Sequence, residues 1–206
     1  LSSNTLSGRE TVTQMQRSIS GTATVAGVNG DFSAFADGRP SGIMMRGGQL
    51  ESPPGGDRSS LGILPDGTLD IRRVAFVARW RGSGRTRVLH DLNQEPRENQ
   101  ISLYTSAWGA ATPNVPGAAA AILFPFPWAV PGPDLVAPVV EVRQPVSSVP
   151  IPPGGAVLMA RGAAAAALQA EAAVGTDVAV QLLLRPEWPG VADAIGGGPQ
   201  LVRDGA

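Results

Sequence analysis

Short apolar runs broken by turn residues fill most of the chain, and two stretches have helical spacing instead. Residues 9–19 place Val12, Met15 and Ile19 at i, i+3 and i+7, on one face of an amphipathic helix. Residues 22–28 alternate and are rich in Thr and Val, as a half-buried strand is. They run into Asn29-Gly30-Asp31, a strong turn signal. Residues 42–46 and 49–52 flank Gly47-Gly48, and residues 60–64 and 68–80 flank Pro65-Asp66-Gly67; both pairs read as hairpins. Residues 85–89 and 101–105 read as strands joined by a polar loop over 90–100. Further strands are expected at 119–124, 135–143, 157–160 and 177–184. Residues 163–173 are nearly all Ala, Leu, Gln and Glu, with Gly162 before and Gly175 after, which predicts a helix. The pattern is α+β: a mostly antiparallel β-sheet system with two helices, in one domain spanning residues 1–206.

Composition narrows this picture. Gly (26) and Pro (19) together make up about a fifth of the 206 residues, and they sit between apolar runs as turn punctuation. The net charge is −1, so the chain lacks the basic balance of a nucleic-acid-binding protein. Every basic residue is Arg, which fits a coding bias and also suits phosphate recognition. With no Cys and a single His, His90, a zinc site within the chain is not expected. A hard cation such as calcium, held by carboxylates and carbonyls, stays open. The most apolar stretch, 118–130, is too short to span a bilayer and is interrupted by Pro125 and Pro127. The chain starts at Leu1 without a charged-then-apolar leader, consistent with a signal peptide removed or not included.

Candidate chemistry is sparse. Asn29 and Asp31 share one loop at a strand end, where they could supply hydrogen bonds or acid–base work, though a plain turn explains them too. Gly196-Gly197-Gly198 could offer successive backbone N–H groups as an anion nest, or be a tight bend. Asp31, Asp37, Asp57, Asp66, Asp70 and Asp91 are the aspartates of the first half, and spacing does not say which of them meet. Tyr104, Trp108, Phe124, Phe126 and Trp128 suit either sugar stacking or core filling.

In combination these segments resemble the phosphodiester glycosidase family. The segment 26–32, Ala-Gly-Val-Asn-Gly-Asp-Phe, is similar to its N-terminal signature. Pro40-Ser41-Gly42, Gly47-Gly48-Gln49-Leu50, Leu61-Gly62-Ile63 and Asp66-Gly67 follow in the family's order, and 194–202 resembles its Gly-Gly-Pro-x-Leu-Val segment. Leu103-Tyr104-Thr105, Trp108-Gly109 and 151–155 are similar to actinobacterial members. The family's later Arg-Thr-Ala-x-Gly and Asp-Gly-Gly-Gly-Ser segments are absent, and Ser33 replaces a common second Phe.

The resemblance implies the N-terminal part of a secreted or cell-envelope hydrolase acting on a sugar-1-phosphodiester of the N-acetylglucosamine-1-phosphodiester type. It implies a catalytic or metal-orienting Asp31, a substrate-orienting Asn29, and Gly196, Gly197 and Gly198 near the phosphate or under the cleft. Arg46 is the expected phosphate contact. Two other readings stay open: a noncatalytic module binding an envelope glycan, and a piece completed by a C-terminal partner chain or a second copy. No transmembrane segment is expected in any of them.

Overall fold

Alternation of buried and exposed side chains sets the architecture. The computed structural model describes residues 5, 6, 8–19 and 30–198. Among them are thirteen strands and two helices. A five-stranded sheet runs in the order β2 (Gln49–Ser52), β1 (Met44–Arg46), β13 (Asp193–Gly196), β3 (Ser59–Ile63), β4 (Leu69–Arg73). An eight-stranded sheet runs in the order β6 (Arg87–Leu89), β5 (Ala75–Arg81), β12 (Asp177–Arg185), β10 (Asp134–Val146), β9 (Ala118–Leu123), β11 (Ala156–Ala160), β8 (Ile101–Thr105), β7 (Asp91–Leu92). Apart from the parallel β7–β8 pair, these strands pair antiparallel. The molecule is α+β and mostly antiparallel.

The larger sheet is nearly closed into a barrel. Its two edge strands, β6 and β7, are consecutive in sequence, with only His90 between them. The His90 amide donates to the Ile101 carbonyl at 3.0 Å, and the Ile101 amide donates to His90 Nδ1 at 3.2 Å. One residue therefore carries the chain from one edge of the sheet to the other.

Interior positions are apolar and fully enclosed, among them Trp80, Leu103, Ala121, Leu158, Val180 and Leu182. On β5, β10 and β12 the alternate residues face outward. On β8, β9 and β11 both faces are buried, because Tyr104, Ile122, Val157 and Met159 pack into a second core with Leu6 and Trp108 outside the barrel. The four successive alanines of β9, Ala118 to Ala121, let both layers approach closely. Helix α2 (Gly162–Glu171) buries Ala165 and Leu168 in the interior core and is capped by Asn99, whose Oδ1 accepts the Ala163 amide at 2.8 Å.

Most elements lie where periodicity places them, including α1 (Val12–Ile19) and the strands at 49–52 and 101–105. The expected strand at 22–28 lies outside the described residues. Three features differ. The single strand expected over 68–80 is two strands in different sheets, divided at Val74, which is buried where the chain crosses over. The polar loop over 90–100 contains β7, which closes the barrel. The approach to the glycine run, 193–196, is the central strand β13 of the smaller sheet. No helix among the described residues is long and apolar enough to cross a membrane.

Candidate functional site

Asp31 lies in a socket between the chain's two ends of the described structure. Its Oδ1 accepts Arg58 Nη1 at 2.6 Å and the Phe32 amide at 2.7 Å, and its Oδ2 accepts Arg58 Nη2 at 3.2 Å. The carboxylate side chain is only 3% exposed, against 30% for Arg58. Gly42 and Gly196 form the socket walls, and a Cβ on either would overlap Asp31 Oδ2. These two glycines are needed for close approach, not for an unusual backbone angle. The Phe32 ring lies over the Arg58 guanidinium, 5.9 Å from centroid to Cζ.

Both oxygens of Asp31 are thus occupied. Its carboxylate orients Arg58 and fastens the residue 30–33 turn onto the smaller sheet. Arg58 has five N–H donors. Asp31 takes two, and Nε reaches the Gly55 carbonyl at 3.4 Å, so donors remain for a ligand.

Gly55, whose carbonyl accepts Arg58 Nε, lines a cleft of about 560 Å³. Four segments form it: the turn carrying Ala34, Arg39 and Ser41, the bend Pro53–Gly56, the start of β5 at Ala75 and Phe76, and the seam residues His90, Asp91 and Gln94. Arg39 is braced by Asp37, with Nε to Oδ2 at 3.2 Å. His90 accepts a backbone proton at Nδ1, so a neutral imidazole carries its own proton on Nε2. Asp91 Oδ1 accepts the Leu92 amide at 3.0 Å. Burial pushes the Asp91 carboxyl up to about 6, against the opposing pull of that amide, Arg39 and Arg97.

Asn93 holds this segment in place. It is buried in a left-handed conformation with φ 51°. Its Nδ2 donates to the Glu51 carbonyl at 2.8 Å and to Thr105 Oγ1 at 3.1 Å, and its Oδ1 accepts the Thr105 amide at 2.9 Å. One side chain therefore ties β2 of the smaller sheet to β8 of the barrel, directly behind the cleft.

The structure separates the residues expected at the site. Asp31 and Gly196 meet. Asn29 lies outside the described residues. Arg46 sits at the far end of β1, four residues from Gly42 and hence about 13 Å along the strand, where its Nε contacts both Glu51 oxygens at 2.9 Å. Burial raises Glu51, and Arg46 pulls it back down. Arg46 therefore serves the β1–β2 pair. The Gly196 amide donates to Ile43 at 2.9 Å and the Gly197 amide to Ser59 at 3.1 Å, so these two do not form a free N–H nest; they floor the socket, and Gly198 follows. Among the described residues no three His, Asp or Glu side chains converge to hold a metal ion.

Arg58, Arg39 and Asp91 are the groups that sequence reading did not single out. The only signal for Arg58 is its Gly-Gly-Asp-Arg setting, which does not reveal a partner 27 residues away. Tyr104, Trp108 and Phe126 are buried, with Tyr104 and Trp108 edge to face at 5.6 Å; Phe124 and Trp128 are exposed.

No family model and no curated protein matches the chain. Two solved structures share its fold. A hypothetical protein from Synechocystis aligns over 100% of this chain at 20% identity, with a TM-score of 0.76. A predicted exported protein from Burkholderia pseudomallei K96243 aligns over 95% of it at 20% identity, with a TM-score of 0.69. The chain spans 37% and 45% of the lengths of those two proteins. At this identity the likeness establishes the fold.

Proposed function

We propose that this chain carries a phosphodiester glycosidase-type site that hydrolyses a sugar-1-phosphodiester of the N-acetylglucosamine-1-phosphodiester type in an extracellular or cell-envelope glycan. The observation that carries this reading is the Asp31–Arg58 fork behind the Arg39-bearing cleft. A phosphodiester keeps one negative charge across the ordinary pH range. The Arg39 guanidinium, which lines the cleft and is braced by Asp37, suits that charge at little reorganisation cost. The motif resemblance around Asp31 and 194–202 supports the same substrate class. Export of the chain is part of the proposal; the Burkholderia protein of the same fold, itself described as a predicted exported protein, supports it.

A second reading is a glycan-binding module without chemistry. The saturated Asp31 favours it, since a carboxylate with both oxygens engaged is poorly placed to act as acid or base. Incubation with an N-acetylglucosamine-1-phosphodiester, with and without calcium, separates the two. Release of free sugar supports the hydrolase; saturable binding without release selects the module.

A further inference from the structure

Of the six aspartates in the first half of the chain, five have assigned work. Asp31 holds Arg58, Asp37 holds Arg39, and Asp57 pairs with Arg73. Asp66 accepts the Thr68 amide in its turn, and Asp70 pairs with Arg72 and accepts Trp188 Nε1 at 2.9 Å. Asp91 is different. It makes no ion pair within 4 Å, its Oδ2 has no hydrogen-bond partner among the described residues, and it lines the cleft.

Its surroundings restrict it to that side. β7 lies parallel to β8 with Asp91 beside Ser102, whose hydroxyl is fully buried and unpartnered. Tyr104, two residues along β8, is fully buried in the outer core, and its hydroxyl also lacks a partner. Burial raises the Tyr104 phenol, and the nearby Glu95, Asp91 and Asp37 raise it further while Arg39 pulls the other way. The buried side chains of β8 thus close the side of Asp91 that faces that strand, leaving the cleft as the route by which its proton exchanges. The charged groups around it are Arg39 and Asp37 from the 34–41 turn and Arg97 and Glu95 from the following loop, and His90 precedes it in the chain.

We propose that Asp91 is the proton donor of this cleft: it protonates the bridging oxygen of a phosphodiester whose charge rests on Arg39. The proposal rests on the hydrolase reading above. The bond from the bridging oxygen to carbon or phosphorus breaks, and the electron pair stays on that oxygen, which takes the Asp91 proton. Water adds to the atom left behind, and the proton it loses returns to Asp91. An acid that titrates near 6 is partly protonated at working pH while remaining a competent donor.

The test compares Asp91→Asn, which keeps the side-chain shape, with the unaltered chain on an N-acetylglucosamine-1-phosphodiester between pH 5 and 8. A non-hydrolysable phosphonate analogue serves as the binding probe. The expected result is a kcat/KM that falls above pH 6 in the unaltered chain. In Asp91→Asn, kcat should drop roughly 100- to 10,000-fold, the pH limb should vanish, and analogue affinity should stay within about threefold. Arg39→Ala should do the reverse, weakening binding while keeping the limb. The carboxyl ¹³C titration of Asp91, identified by its loss in the variant, should have its midpoint near 6. Turnover by the unaltered chain with an equally active Asp91→Asn, or a titration midpoint below 5, overturns this role and leaves the hydrolase reading standing. Absence of turnover by the unaltered chain overturns both.

Discussion

A carboxylate that is 3% exposed depends on its partner, and among the described residues Arg58 is the one cation paired with Asp31. Removing one member of a buried pair costs more than the pair contributes, because the remaining charge is stranded. Arg58→Met is therefore expected to destabilise the chain by about 3 kcal/mol, read as a lower urea midpoint at unchanged slope. Adding Asp31→Asn should recover part of that loss. At this scale the sequence was half legible. The Asn-Gly-Asp-Phe turn marks Asp31, yet nothing local names Arg58, because the contact joins two loops through the smaller sheet. Arg46 carries the same chemistry as Arg58, and strand register alone sends it to Glu51.

Among the elements, the short strands followed their alternation and glycine-bearing turns, because those signals are local. The expected strand over 68–80 failed for a physical reason: alternation continues through Val74, and only the change of sheet, a long-range pairing, divides it. Strand β7 was hidden because two residues flanked by polar ones carry no periodicity. It exists because Asn93 pins the segment to Glu51 and Thr105. Asn93→Ala leaves the Glu51 carbonyl and the Thr105 amide buried without partners, each costing about 1–3 kcal/mol. The expected outcome is a loss of about 3 kcal/mol by denaturant unfolding, with faster amide exchange across residues 90–94.

In the whole molecule, the barrel closes where the cleft opens, so folding places a half-buried carboxyl at the seam. A carboxyl raised to about 6 in the folded chain favours folding while protonated. That contribution is complete below the ordinary aspartate value of about 4. It is lost as pH rises through 6. Stability should fall across that window by at most about 3 kcal/mol, and Asp91→Asn should flatten that part of the unfolding profile. Fold class was readable from the chain because alternation and turn residues summed over many strands. The cleft was not, because it gathers four segments that are far apart in sequence.

Cleavage of a sugar-1-phosphodiester in this cleft is the activity we propose. The ³¹P spectrum of an N-acetylglucosamine-1-phosphodiester incubated with the chain tests it most directly. The account expects the diester resonance to give way to a phosphomonoester, and the conversion to slow sharply in Arg39→Ala. A diester resonance that persists unchanged with the folded chain, with or without calcium, would contradict it.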